Sequence, residues 1–570
     1  MTSARALRIA ALVGFASTAA LVLLGSFGRV DALVVLGAAT IVPLGASLSL
    51  DRDRNGVESA LTRASGMLVA ASAITSPFTF VAGRGSIVSA SAGALHLLAA
   101  LVLAIGATRR LAWRGLQPMD ELAIDAGSLF LPVGAAFALA SRAGVPLGGF
   151  DEPVVSFTAA HFHYAGFAAP IVIGAVGRLM HPPGVRTTTG YRIGTSAVVA
   201  GVPLTAAGIA GGVTLERASA VLLACGMLVA SATSIRAILR LRERPALPRF
   251  VLALSFLGLV VPMALAVAFA LTGSAGRGGS FSAVVPLATM IRYHGTVNAL
   301  GFALPALVAL VLLEPSPRHR PSGFPMSRLR GGLTIGPEFF ARIGALGASR
   351  SPTGIVDHLA AYAGPGFDPA AVHDDVRRFY EHTEDYDLAV VPAWSRGFRL
   401  GGRIWRSIAR LIGQVELPTE ATGDETVRSR IVDLRDELDG RSNVRGWVRT
   451  YVASGRALYV AAYAATDSFG TALMNIAFPL PAGALVSVLR FAALDRAGGL
   501  RVTTVGRSGV LVPDEGIYLV LLGFTLRLPM NEWVDVWPSE TPGEVLARHE
   551  LFLFGVPYLT LDYRITRRRA

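Results

Sequence analysis

Apolar and polar positions follow one pattern up to about residue 315 and a different one beyond it. The first part consists of long runs of Ala, Leu, Val, Gly and Ile. Short charged or Gly/Pro-rich turns separate them, such as Asp51-Arg52-Asp53-Arg54 and Arg240-Leu241-Arg242-Glu243-Arg244. A helix needs about 20 apolar residues to cross the hydrocarbon core of a bilayer. Runs that qualify lie near 6–27, 31–50, 64–83, 86–107, 120–141, 154–177, 190–212, 218–239, 250–272 and 288–313. Helices are the only spanning form open to them, because an open sheet would leave backbone groups unpaired in lipid. The pattern predicts an all-α transmembrane bundle of about ten helices over residues 1–315. Pro286 is expected to break the last run, which places 280–287 at the membrane surface and starts the tenth span after it.

The Pro-rich, basic stretch Glu314-Pro315-Ser316-Pro317-Arg318-His319-Arg320-Pro321 ends the bundle, and 316–335 reads as a linker. Residues 336–570 then read as a separate α+β domain. Apolar residues at helical spacing predict helices near 353–363, 369–382 and 399–412. The second carries acids early and arginines late, as the helix dipole prefers. Arg377, Arg378, Trp394, Arg396, Arg399, Arg403 and Trp405 form a basic, aromatic stretch suited to anionic head groups. From about 427 the spacing changes to that of strands: 444–452, 457–464, 472–478, 484–491, 500–505, 517–526 and 551–565, with turns at Ala497-Gly498-Gly499 and Pro513-Asp514-Glu515-Gly516. Consecutive strands with short connections predict an antiparallel β-meander or partial barrel. Several are apolar on both faces, which fits ordinary packing or an apolar cavity for an acyl chain or similar ligand.

Composition agrees with a membrane protein: 52% of residues are hydrophobic and 16% charged, against roughly 25% charged in soluble domains. The net charge of +13 comes from arginine alone, since the chain has no lysine, as in proteins coded by GC-rich bacterial genomes. It does not point to nucleic acid, because the arginines sit at helix ends and in loops. Twenty of those in the bundle and its flanks fall on one side of the alternating loops. Only Arg29, Arg84, Arg142, Arg217 and Arg277 fall on the other. That asymmetry predicts a multi-pass protein of the bacterial inner membrane with both ends of the bundle cytoplasmic. The single Cys225 excludes disulfides and thiolate metal sites. Arg5 and Arg8 precede an apolar run as in a signal peptide, but no cleavage site follows, so a retained first helix is expected.

Ionisable groups inside spans are costly and therefore candidate functional groups. His96 lies in span four, His161, His163 and Tyr164 in span six, and Arg292, His294 and Asn298 in span ten. Spans four, six and ten run in the same direction, and their histidines fall within a few ångströms of one depth, in the outer half. A shared ligand-binding site is the expectation. His294 and Asn298 share a face with Gly301, and His163 shares one with Gly166, Pro170, Gly174 and Gly177, a stripe suited to helix packing. His161 and His163 point about 200° apart on a regular helix, so one site for both requires distortion at Gly166 and Pro170. Arg292, near the helix end, is placed to reach the head groups. The plain alternative is that the histidines hydrogen-bond neighbouring helices and bind nothing. Asp120, Glu121 and Asp125 at the start of span five read as a solvated helix start.

The runs His161-Phe162-His163-Tyr164-Ala165-Gly166-Phe167 and His294-Gly295-x-x-Asn298-Ala299-Leu300-Gly301-Phe302 resemble those of the YndJ-like family of bacterial membrane proteins. The resemblance covers about 1–315 and implies a ten-span topology without supplying an activity. A weaker likeness to haem-copper oxidase subunits rests on His161-x-His163. Too few intramembrane histidines are present for two haems and a copper. Three readings follow: a bundle that binds or transports a small solute or ion, a haem- or metal-binding redox protein, and a membrane-anchored sensor or scaffold whose second domain binds a lipid-like ligand. No P-loop, Rossmann or zinc pattern is present. Glu532, Asp535, His549, Glu550 and Asp562 are polar candidates in the second domain that match no catalytic template.

Overall fold

The computed structural model describes residues 2–51, 57–181, 187–273, 284–316, 325–417, 426–468, 470–496, 498–505, 514–522 and 524–568. Arg52, Asp53, Arg54, Arg186, Arg277, linker residues 317–321, Ala497 and Pro513 lie outside them. The chain forms two compact units, Met1–Leu111 with Leu116–His319, and Ala112–Gly115 with Arg320–Ala570.

Among the described residues, ten helices are long and apolar enough to span a membrane: Ser3–Leu23, Arg29–Ser49, Ala60–Val81, Ile87–Arg114, Met119–Ala143, Val154–Met180, Thr189–Gly211, Val213–Ile238, Ala246–Thr272 and Leu287–Leu313. Three of them widen into π-helical turns, at Gly37–Ile41 in span two, Phe162–Ala168 in span six and Met290–Gly295 with Val297–Ala303 in span ten. A proline stands two residues beyond the end of a widened segment in each span: Pro43, Pro170 and Pro305. Proline has no N–H for the carbonyl four residues back, and its ring crowds that carbonyl, so a wider turn relieves the clash. The small-residue stripe of span six packs as its spacing suggests. A Cβ on Gly177 would fall 2.7 Å from the Asp120 Cβ of span five.

The second unit is built on twelve strands: β1 Tyr386–Trp394, β2 Val427–Asp433, β3 Arg445–Tyr451, β4 Ala457–Ser468, β5 Thr471–Leu480, β6 Gly483–Ala493, β7 Leu500–Thr503, β8 Gly516–Leu521, β9 Phe524–Arg527, β10 Met530–Pro538, β11 Glu544–Leu553 and β12 Val556–Arg567. Ten of them close into an antiparallel barrel in the order β5-β4-β3-β2-β1-β12-β11-β10-β7-β6, with β6 pairing back to β5. This corrects the expected meander or partial barrel. The ring is complete, and it is not a meander, because the β8–β9 hairpin leaves the ring between β7 and β10 and pairs with the free edge of β6. The run read as one strand over 551–565 is a hairpin that turns at Phe554-Gly555. β1, β2 and β10 lie outside the predicted runs; Pro392 interrupts the pattern of β1, Arg428 and Arg430 that of β2, and polar Asn531, Glu532 and Asp535 dilute that of β10. The expected helix at 353–363 contains only a 3₁₀ turn at Leu359–Tyr362, and that at 369–382 shortens to Asp374–Glu381. Helix Arg399–Ile412 forms as expected.

Strand alternation sorts the side chains. On β3, Trp447 and Arg449 point into the barrel, whereas Val448 lies in an outer core with Phe339 and Phe340. Both faces of β3 are therefore covered, which explains its two-sided apolar pattern.

Candidate functional site

The intramembrane histidines separate into two groups. His96 and His163 meet edge to edge, Nε2 to Nε2 at 2.9 Å, with ring planes 12° apart. His163 Nδ1 lies 2.7 Å from Ala159 O, and a carbonyl only accepts, so that nitrogen carries the proton. His163 Nε2 is then the acceptor, His96 Nε2 the donor, and His96 Nδ1 accepts from Ser72 Oγ at 2.8 Å. Every ring nitrogen is satisfied with both imidazoles neutral. Both rings are buried, and His163 fits because Gly37 and Gly134 face it: a Cβ would come within 3.0 Å and 3.2 Å of its atoms. This pair ties spans three, four and six together, and its chemistry is closed.

The second group lines a cavity of about 540 Å³ inside the bundle, which His161, Tyr164, His294 and Asn298 share with residues of spans two and five to ten. His294 Nδ1 donates to Pro262 O at 2.9 Å, which leaves its Nε2 as an acceptor. The Asn298 amide nitrogen is 3.5 Å from that ring, at the limit of a hydrogen bond. His161 Nε2 and Asn298 Oδ1 are buried and, among the described residues, have no hydrogen-bond partner. Tyr164 is spent on structure, its hydroxyl donating to Leu33 O at 2.8 Å. Arg292 is exposed, stacks near Tyr293 and does not line the cavity. The single site expected for His96, His161 or His163, and His294 thus resolves into a closed pair and an open cavity. Despite the π-helical turn, His161 and His163 still diverge. Among the described residues, no group of three or more His, Cys, Asp or Glu stands in metal-binding proximity.

A family model described as YndJ-like protein matches residues 32–302, which contain all these groups. Over that range the bundle is similar to the YndJ-like family. A relative from Bacillus subtilis (strain 168), named uncharacterized membrane protein YndJ, is 29% identical over 451 residues, spanning 79% of this chain and 78% of the relative. That length exceeds the bundle, so the likeness runs on into the second unit, beyond the 1–315 expected. No solved structure matches the chain.

The bundle also holds charges that spacing alone misplaced. Asp120, Glu121 and Asp125 are buried, not a solvated helix start. Glu121 takes a bidentate pair from Arg178 at 2.7 and 2.9 Å, and Arg178 also donates to Leu48 O. Asp125 pairs with Arg110 at 2.7 Å. Acids at i and i+4 near the start of a span, with arginines at the ends of neighbouring spans, were the available signal. They form ion pairs because in lipid an unpaired charge is far costlier than a paired one.

The barrel holds a second cavity, of about 590 Å³. Phe379 and Tyr380 of helix Asp374–Glu381 lie at one end of it, and Trp394, Phe398 and Trp405 near the end of β1 where helix Arg399–Ile412 begins. The tryptophans of the basic stretch therefore face inward. Among the polar candidates, Asp535 pairs with Arg501 and Asp562 with Arg548, and Glu550 accepts from Trp533. Only Glu532 and His549 enter the cavity, joined at 2.7 Å. Burial pushes the Glu532 carboxyl up. Hydrogen bonds from His549 and Ser487 outweigh it and hold the group below the usual carboxylate range. Sequence reading missed Arg449, which lies on the cavity wall.

Proposed function

We propose that the bundle is a solute-binding, and by that means solute-moving, unit of the bacterial inner membrane. Its ligand is a small organic molecule with an apolar body and hydrogen-bonding groups. The carrying observation is that two unpartnered polar atoms, His161 Nε2 and Asn298 Oδ1, border one cavity. Buried polar groups are ordinarily satisfied, and one left bare costs about 1–3 kcal/mol. A ligand that supplies their partners removes that cost. Phe137, Phe157, Phe269 and Phe302 on the same wall favour an organic body over a hydrated ion. The π-helical turns at this level in spans two, six and ten give the walls a distortable backbone.

Cysteine placed at Asn298 in a Cys225→Ser background tests the cavity. In proteoliposomes it should react with a small thiol reagent, and a pool of cell metabolites should slow that reaction. Protein carrying His161→Ala and Asn298→Ala should lose any small molecule that mass spectrometry finds bound to the purified wild type. A cysteine at 298 that only lipid-soluble reagents reach, together with purified protein that carries lipid alone, would overturn the reading.

The arginine asymmetry of the loops supports cytoplasmic ends for the bundle, and with them a cytoplasmic second domain. Reporter fusions after residue 150 and residue 330 should report the outer side and the cytoplasm respectively. The same side for both would sink that orientation.

A further inference from the structure

The barrel carries an inference independent of the bundle's cavity. Arg449 is 7% exposed, and among the described residues no carboxylate pairs with it. Its guanidinium lies 3.7 Å over the Trp447 ring and 4.7 Å from that of Tyr459, and its Nε has no hydrogen-bond partner. The Tyr563 hydroxyl is its polar neighbour, and Tyr459 and Tyr463 hydroxyls lie 3.3 Å apart beside it. Burial pushes these phenols up and the Arg449 charge pulls them back, so they stay neutral donors. Glu532 and His549, ionisable side chains also on the cavity wall, are joined to each other. An uncompensated cation in an apolar cavity is costly unless an anion completes it. Guanidinium and phenol donors suit the oxygens of a carboxylate or phosphate.

The rim near the end of β1 supplies the second observation. The β8–β9 and β11–β12 hairpins turn through Leu522 and Phe554, at φ 49° and 50°, positions that favour Gly or Asn. Both are exposed, at 77% and 70%. Bulky apolar residues in strained turns facing water gain nothing from folding, which points to a function for the strain. Helix Arg399–Ile412 presents Leu400, Ile404, Ile408 and Leu411 along one exposed stripe, flanked by Arg399, Arg403 and Arg410. Apolar stripes edged with arginine suit an anionic lipid surface. The same helix borders the cavity through Gly401 and Trp405, and Gly402 lets it press on Trp394, whose ring would stand 2.9 Å from a Cβ there.

We propose that the barrel holds one single-chain amphiphile with an anionic head, the head at Arg449 and the chain along the apolar wall, taken from a lipid surface through the rim of Leu522, Phe554 and helix Arg399–Ile412. The test uses the full chain in lipid nanodiscs and three photoreactive probes: a diazirine-bearing palmitic acid, the matching monoacyl phosphate and the matching uncharged alcohol. After irradiation, peptides from β5, β6 and β12 should carry the acid, the phosphate or both, and unlabelled palmitate should compete. Which anion labels them identifies the head. Arg449→Ala should lower labelling about tenfold or more, and Arg449→Lys should retain most of it. Leu522→Asp combined with Phe554→Asp should slow transfer from donor vesicles while leaving labelling at long times unchanged. Labelling by the alcohol equal to that by both acids overturns the proposal, as do adducts confined to the bundle. That comparison is made on the unmutated chain, so a folding defect in a variant cannot decide it.

Discussion

Replacing Arg178 with alanine is expected to lower the thermal midpoint of the detergent-solubilised protein more than any other single change in the bundle. Arg178 joins Glu121 by two hydrogen bonds and caps Leu48 O, with both charged side chains nearly inaccessible. Removing one partner of such a pair costs about 3–5 kcal/mol, because the other charge is left buried. Arg178→Lys should fall between the two, since an ammonium keeps the charge but cannot make the bidentate pair. The combination Glu121→Gln with Arg178→Met removes both charges and should melt closer to wild type than Arg178→Ala alone. Melting followed by size-exclusion chromatography orders the four proteins. A midpoint for Arg178→Ala equal to that of wild type would show that water reaches the pair.

Arg441→Ala is expected to damage the barrel domain by a comparable amount. Arg441 and Asp439 are fully buried and paired at 2.6 Å. All five guanidinium N–H groups are used: two on Asp439, two on Asn475 and one on Ala462 O. Ser327 Oγ donates to the same carboxylate at 2.7 Å. The substitution strands Asp439, two backbone carbonyls and the Asn475 amide oxygen at once, at a cost of about 3–5 kcal/mol. Hydrogen exchange on the full chain should show β4 and β5 opening faster while the bundle is unchanged. Unaltered exchange in those strands would mean that the network contributes little.

The bundle was legible in the sequence to within a few residues at most span ends, because lipid leaves the backbone no alternative to a helix and the length of an apolar run is then the length of a span. Pro170 marked span six for distortion, but proline alone does not specify a widened turn, since Pro77, Pro132 and Pro203 sit inside regular α-helices. The histidines drew attention to spans four, six and ten. Whether His163 faced His96 or shared a site with His161 and His294 depended on the rotation of each helix about its axis and on which helices are neighbours, and spacing along one helix carries neither. Asp120, Glu121 and Asp125 looked solvated for the same reason, as their arginines come from other spans. In the second domain, alternation showed strands but not closure. A barrel exists only when β6 returns to β5, a pairing of register between whole strands, and the cavity with Arg449 on its wall exists only once the ring has closed. Local chemistry fixed what each segment is, and long-range packing alone decided which side chains face one another.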